Sequence, residues 1–253
     1  MLARRIERLT SSLVRDILAV AQQPGVISFA GGLPASEALL SLDLAALPAD
    51  VVKSALQYGP SEGEPQLREL IAQRMQAIGF NCSAEQVLIL NGSQQGIDLV
   101  SKLMIDEGTP VLVEEPAYLA ALQSFRLLGA DLRTLPIADG VDLVALADQL
   151  PQVAMAYLTP TFQNPSGYCY SHAERKAVAE LLDTHGTCLF EDDPYRELAY
   201  DTPAPAPLVS HLTSAPWVYQ RLVQQNFGTG FTLGLFDCTS RFNAAFGALK
   251  ASG

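Results

Sequence analysis

Four short polar segments carry the residues of this sequence that could do chemistry. The first is Asn91-Gly92-Ser93-Gln94, which joins an apolar run to a helix-like stretch. Free backbone N–H groups at the start of such a helix suit a phosphate. The same segment is also typical of a tight turn in which Ser93 only caps its helix. It has neither the GxGxxG pattern nor the lysine of a P-loop, so it predicts a phosphate site only if other segments agree.

Two further segments could contact a planar ligand. Glu115-Pro116-Ala117-Tyr118 places a tyrosine where its ring could stack on such a ligand, although a lone tyrosine is more often just a partly buried aromatic. In Phe162-Gln163-Asn164-Pro165-Ser166-Gly167 the backbone around Asn164 is stiffened by proline. The Asn164 amide could point at a ligand, or it could cap its own turn.

The fourth segment, Glu191-Asp192-Asp193-Pro194-Tyr195, follows an apolar run and is open to three interpretations. It could be a solvated acidic turn. It could bind Mg²⁺ or Ca²⁺ through Glu191, Asp192 and Asp193, as in a metal-dependent hydrolase. It could also supply one carboxylate that pairs with a protonated ring nitrogen, with Tyr195 three residues further on.

Strands and helices must alternate to bring these segments together. Short apolar runs predict strands, and runs of period 3.6 predict helices. The strands are expected at 87–90, 110–114, 132–136, 153–158 and 187–190, and the helices at 64–78, 94–105, 118–128, 143–150 and 171–184. A helix over 5–23 and a short extended run over 26–30 come first. This alternation predicts a three-layer α/β/α fold with a mostly parallel sheet, which binds ligands at the carboxyl ends of its strands.

Composition narrows the function classes. The 253 residues are 49% hydrophobic and carry a net charge of −11, which disfavours general binding to nucleic acid or to an anionic membrane. No apolar run reaches the roughly 18 residues of a membrane span, and four widely spaced cysteines favour the cytoplasm. His172 and Glu174 match half of a zinc-deaminase signature, but Ser171 and Glu174 form a helix capping box. No metal ligand is therefore assigned.

Taken together, the segments resemble the fold-type I pyridoxal-phosphate aminotransferases of class I/II, in the branch that contains 2-aminoadipate aminotransferase. The resemblance runs in order from about residue 10 to 220. Its motifs are Ile27-Ser28-Phe29-Ala30-Gly31-Gly32-Leu33-Pro34, Gln57-Tyr58-Gly59, Gly63 through Arg68, Gly92-Ser93-Gln94-Gln95, Glu115 to Tyr118, Phe162 to Gly167 and Glu191 to Glu197.

The resemblance implies contacts to pyridoxal 5'-phosphate. Ser93 and Gln94 would hold its phosphate at a helix N-terminus, and Tyr118 would stack on its ring. Asn164 and Tyr195 would hydrogen-bond the ring oxygen.

Three more residues receive roles from the same resemblance. Asp192 would pair with the pyridinium nitrogen. Tyr58 would reach the phosphate of a neighbouring subunit, which implies a homodimer, and Gly32 would lie near the substrate carboxylate. The implied reaction moves an amino group from an amino acid to a 2-oxo acid such as 2-oxoglutarate.

The sequence departs from the family where the Schiff-base lysine should stand. That lysine follows the aspartate segment in a Ser-x-Ser-Lys signature, with Pro-Gly and an arginine after it. None of Lys53, Lys102, Lys176 and Lys250 lies in such a signature. No catalytic residue is therefore assigned, and we expect impaired turnover.

A shift of reading frame would explain this departure. Back-translation from Arg221, read one base later, permits Gly-Ser-Phe-Ser-Lys-Thr-Leu-Ala-Pro-Gly-Leu-Arg, with the lysine codon across Gln225 and Asn226. We therefore predict an N-terminal arm at 1–40, a cofactor-binding large domain at 41–220 and an aberrant tail at 221–253, with the small C-terminal domain missing. A defective, non-catalytic remnant stays an alternative. A DNA-binding regulator is disfavoured because Gly31-Gly32 comes too early in the chain for a preceding domain.

Overall fold

The computed structural model describes residues 2–8, 17, 19–21, 23–28 and 44–222, and the backbone of 232–237. Helices and strands alternate through most of these residues. The helices are α1 Ala49–Ala55, α2 Pro65–Gln76, α3 Ser93–Met104, α4 Leu119–Leu128, α5 Leu143–Gln149 and α6 His172–His185. The strands are β1 Val87–Leu90, β2 Pro110–Glu115, β3 Asp131–Pro136, β4 Met155–Leu158, β5 Cys188–Asp192, β6 Trp217–Leu222 and β7 Thr232–Asp237.

The strands form one sheet in the order β1-β7-β6-β5-β4-β2-β3. Strand β7 runs antiparallel to both of its neighbours, and the pairs among β2 to β6 are parallel. The three-layer, mostly parallel α/β architecture expected from the sequence is confirmed. Because β1 and β6 are both antiparallel to β7, β1 points the same way as the parallel strands. All their carboxyl ends therefore meet at one edge of the sheet.

Each face of the sheet packs on its own set of helices. Side chains alternate along a strand, so Tyr157 of β4 faces α3 and α4, where Ile97 and Phe125 are fully buried. Leu158 faces the opposite layer, which includes α2, α5 and α6. Burial on both faces explains why these strands read as continuous apolar runs.

Most predicted element ends agree with the structure to within one or two residues, but three expectations were wrong or incomplete. Residues 26–28 belong to no helix or strand, and the rest of the extended run expected over 26–30 lies outside the described residues. Of the helix expected over 5–23, the structure describes a 3-10 turn, Arg4–Arg8, and short helical fragments further on. Strand β5 extends to Asp192 instead of ending at Phe190. None of the described helices is long and apolar enough to cross a membrane.

The sheet continues past the predicted boundary at residue 220. Arg221 and Leu222 belong to β6, and β7 pairs with both β1 and β6. The Arg221 side chain is buried and forms an ion pair with Glu197, and burial lowers its pKa to about 10. Residues 223–231 and 238–253, including Gln225, Asn226 and Lys250, lie outside the described residues, as do Gly32 and most of the arm predicted at 1–40.

Candidate active site

Asp192 is the buried carboxylate at the centre of the candidate site. It is the last residue of β5 and is 3% exposed. Its Oδ2 accepts a hydrogen bond from the Tyr157 hydroxyl at 2.7 Å, and its Oδ1 accepts one from Gln220 Nε2 at 3.1 Å. Burial raises the pKa of Asp192 to about 6, although both hydrogen bonds lower it. A carboxylate can accept about four hydrogen bonds, so Asp192 retains the capacity to accept another from a ligand N–H.

Three polar side chains from different loops lie near this carboxylate. Asn164 Nδ2 donates a hydrogen bond to the Tyr195 hydroxyl at 3.1 Å, which joins the loop after β4 to the loop after β5. Burial and the negative charge of Asp192 raise the pKa of the Tyr118 hydroxyl, and the same carboxylate acts on Tyr195. The structure therefore brings together Asp192, Tyr118, Asn164 and Tyr195, and their contact with a cofactor stays a prediction.

The loop that carries Asn164 is held in place by the buried guanidinium of Arg175. This arginine on α6 is fully buried and donates to the carbonyls of Tyr170 and Pro160 at 2.9 and 2.7 Å, and to Thr161 Oγ1 at 3.0 Å. Within the same loop, Phe162 has a φ of 52°, a left-handed conformation that is costly for a bulky residue. A loop so constrained presents its polar side chains in a fixed orientation.

A second buried carboxylate ties this loop to the loop after β2. Glu114 accepts hydrogen bonds from Tyr170 at 2.7 Å and from Gln163 Nε2 at 3.2 Å, and Gln163 Nε2 also lies 2.6 Å from the carbonyl of Pro116. Burial raises the pKa of Glu114 to about 6. The two segments that carry Tyr118 and Asn164 are thereby fixed relative to each other.

The start of α3 has the form that a phosphate site requires. Gly92 is the N-cap residue with a φ of 99°, and no side chain caps the helix. The alternative in which Ser93 is the N-cap is therefore wrong, because Ser93 is the first helical residue. The Gln94 side chain donates to Ser124 on α4, and the Gln95 backbone N–H donates to the Gly92 carbonyl, so the backbone N–H groups of Ser93 and Gln94 are those that a ligand could use. These groups and the hydroxyl of Ser93 suit an anion.

The three adjacent acids do not form a cation site. Glu191 accepts hydrogen bonds from the backbone N–H groups of Leu208 and Val209, and Asp193 pairs with Arg196 at 2.5 Å. Asp192 lies on the other face of the strand. No group of three metal-ligating side chains occurs among the residues described. The alternative of a metal-dependent hydrolase using these three acids is wrong, because their carboxylates have different partners on opposite faces.

The other predicted residues, and the lysines, are exposed or lie outside the described residues. Tyr58 is fully exposed, and Gly32 lies outside the described residues. Lys53, Lys102 and Lys176 occupy exposed helix positions, where Lys102 pairs with Asp98.

Several residues that shape the site were not predicted from the sequence. Tyr157 was expected only as part of a strand and Arg175 only as part of a helix, while Gln220 was assigned to no element and marked only the end of the resemblance. The signal for Tyr157 was available: it is a polar-tipped aromatic in an otherwise apolar strand, and such a buried hydroxyl needs a partner. Gln220 is likewise a polar residue in an apolar run.

Comparison with known proteins places this geometry in a family. The sequence profile described as "Aminotransferase class I and II" matches residues 24–233, most of the chain. The chain belongs to the class I and II aminotransferase family. This family depends on pyridoxal phosphate, and the cluster around Asp192 fits that cofactor because it offers a buried acceptor, an adjacent aromatic ring and a helix start.

Individual relatives of this chain agree with the family assignment. It is 40% identical over 200 residues to the 2-aminoadipate transaminase of Thermus thermophilus, covering 76% of this chain and 49% of the relative. It is 30% identical to aromatic-amino-acid aminotransferase 1 of Thermococcus litoralis, covering 92% and 59%. The fold is similar to that of LysN, the α-aminoadipate aminotransferase of Thermus thermophilus, with a TM-score of 0.85, 32% identity and coverage of 99% and 64%. The chain spans about half the length of the curated relatives it matches.

Proposed function

We propose that this chain is the cofactor-binding part of a pyridoxal-phosphate-dependent transaminase that transfers amino groups from amino acids to 2-oxo acids. The observation that carries the proposal is the Asp192 carboxylate, which is buried, held by two donors, and adjacent to Tyr118 and to the Asn164–Tyr195 pair. When bound, the cofactor supplies an electron sink for chemistry at the amino-bearing carbon.

Each residue of the chain has a defined task in this proposal. Asp192 keeps a proton on the ring nitrogen by offering it a negative charge in a buried setting. Tyr118 stacks on the ring, and Asn164 and Tyr195 orient it through its oxygen. The start of α3, with Ser93 and Gln94, holds the phosphate. Gly32 binds the substrate carboxylate.

The substrate class rests on similarity and is therefore part of the proposal. One relative is named a 2-aminoadipate transaminase and another an aromatic-amino-acid aminotransferase. We propose 2-aminoadipate, aromatic or branched-chain amino acids as donors and 2-oxoglutarate as acceptor. We also propose a cytoplasmic homodimer, in which Tyr58 contacts the phosphate of the other subunit. The full exposure of Tyr58 in the single chain supports this role.

We further propose that residues 221–253 are translated out of frame and that the chain as given turns over poorly. Supporting this, the described lysines are exposed residues on helices, and Arg221 places a buried guanidinium where the alternative frame has glycine. Sequencing the gene across the codons for Gln220 and Arg221 tests the frame. An uninterrupted frame shared with close relatives would overturn it. Turnover of roughly 1–10³ s⁻¹, as in ordinary enzymes, would overturn the predicted impairment.

Cofactor binding is tested without any need for a lysine. Pyridoxamine 5'-phosphate has no aldehyde, so it forms no bond to a lysine when it binds. Its binding to the full chain can be followed by its fluorescence. We expect Asp192→Asn to weaken binding roughly ten- to hundredfold, since a hydrogen bond to a charged group is lost. Asp131→Asn is the matched control, because Asp131 is exposed and Arg133 is its ion-pair partner among the described residues. Equal binding by both variants and the unmodified chain would refute the proposal.

A further inference from the structure

Gln220 is placed to control the orientation of the Asp192 carboxylate. The two residues are register partners in the parallel pair of β5 and β6, so their side chains leave the sheet on the same face. Gln220 Nε2 donates to Asp192 Oδ1 at 3.1 Å, while the Tyr157 hydroxyl donates to Oδ2. One donor on each oxygen, from strands on either side of β5, fixes the plane of the carboxylate.

The Gln220 amide occupies space that exists only because residue 96 is glycine. Gln220 is 1% exposed, and a Cβ on Gly96 would lie 1.8 Å from its Oε1. Gly96 is in the first turn of α3, which begins at Ser93. Glycine inside a helix costs about 1 kcal/mol relative to alanine. Gly96 therefore makes α3 less stable but leaves room for the Gln220 amide.

We propose that Gln220 is a positioning residue for the cofactor ring, with Gly96 providing its seat against α3. This inference rests on the proposed function. The Gln220 side chain lies between the carboxylate that would meet the ring nitrogen and the helix whose first turn would hold the phosphate. It therefore sets the spacing between two anchor points of one rigid ligand, and it acts through Asp192 and not on the reacting atoms.

The charged and titratable groups around Asp192 give this role a measurable signature. Tyr118, Tyr157 and Tyr195 lie around the carboxylate, and the charge of Asp193 acts on it from the opposite face. Burial raises the pKa of Asp192 to about 6, while the bonds from Tyr157 and Gln220 lower it. Only the carboxylate form pairs with a protonated ring nitrogen. Removing the Gln220 donor raises the Asp192 pKa further, so the pH at which ligand binding is half lost must move upward.

The test measures binding of pyridoxamine 5'-phosphate to the full chain across a pH series. Benzyl phosphate, which has the phosphate and a ring without nitrogen, is the matched control ligand. We expect Gln220→Met to weaken pyridoxamine phosphate binding roughly tenfold at neutral pH and to raise the pH midpoint. Gln220→Glu, which adds a second carboxyl group beside Asp192, should raise the midpoint further. Benzyl phosphate binding should be unchanged in both variants.

A second pair of variants tests whether Gly96 provides the room that the Gln220 amide needs. Gly96→Ala should displace the amide and reproduce the midpoint shift of Gln220→Met, while in a Gln220→Ala background the same alanine should add no further shift. The inference is overturned if Gln220→Met binds pyridoxamine phosphate like the unmodified chain at every pH. It is equally overturned if both ligands weaken together without a midpoint shift, since a purely structural defect does that. Failure of the proposed function looks different: the unmodified chain would bind pyridoxamine phosphate no better than benzyl phosphate.

Discussion

Replacing Arg175 with methionine tests whether its buried guanidinium organises the site. The side chain is fully buried and donates to the carbonyls of Tyr170 and Pro160 and to Thr161 Oγ1. Burial and the negative charge of Asp193 raise the pKa of the buried Glu191 to about 7, and the positive charge of Arg175 opposes this rise. Methionine keeps much of the apolar volume but leaves these oxygens without their donor.

The magnitude follows from the cost of leaving buried acceptors without a donor. Each buried acceptor that loses its hydrogen-bond partner costs about 1–3 kcal/mol, and Arg175 donates to two carbonyls and to the Thr161 hydroxyl, so the loss is at least about 3 kcal/mol. For a chain of this size each kcal/mol lowers the melting temperature by about 2–4 °C. We therefore expect Arg175→Met to lower the melting temperature by roughly 10 °C.

The assay is urea and thermal unfolding of the full chain, with Arg133→Met as the matched control. Arg133 lies on β3, its side chain is 53% exposed, and in the described part of the chain it pairs with Asp131, so its loss should change stability by less than about 0.5 kcal/mol. Arg175→Lys keeps the charge but loses the planar fork, and it should fall between the two. If Arg175→Met unfolds within about 1 kcal/mol of the unmodified chain, the guanidinium does not organise the loop.

Three further predictions concern stability. Ser171→Ala removes the capping box that Ser171 and Glu174 form at the start of α6, and urea unfolding should show a loss of about 1 kcal/mol. Gly63→Ala places a Cβ 2.2 Å from Ile89 at a φ of 102°; thermal unfolding should show a larger loss than Ser171→Ala, and equal melting temperatures would contradict the contact. Asp183 accepts hydrogen bonds from residues 213–215, which lower its pKa to about 2; its stabilisation, present above about pH 4, should disappear as the pH falls towards 2, and Asp183→Asn should flatten this acid dependence.

The helices and strands that could be predicted from the sequence are those whose start and end are signalled by their own residues. Strand β1 was predicted to the residue because Val87–Leu90 is a short apolar run closed by a turn. Helix α6 carries both of its end signals, the capping box and Gly186 in the left-handed conformation. Such local signals do not depend on the rest of the fold, so one sequence suffices to recognise them.

The elements that were missed depend on distant partners. Strand β7 has no clear periodicity, and it is a strand because it lies between β1 and β6. Gln220 could be recognised as a site residue only once the register between β5 and β6 had placed it beside Asp192. The predicted site residues were identified through the resemblance, whereas the side chains that hold them are visible only in three dimensions.

Alternation along β5 explains how three consecutive acids can serve a site for an anionic ligand. Glu191 and Asp193 leave the strand on one face, where Arg175 and Arg196 offset their charges. Asp192 leaves on the opposite face, where only neutral donors contact it. Its charge therefore remains available to a ring nitrogen. The cations that balance the other two acids also hold the Asn164 loop, so the acidic segment builds the support of the site as well as its central acceptor.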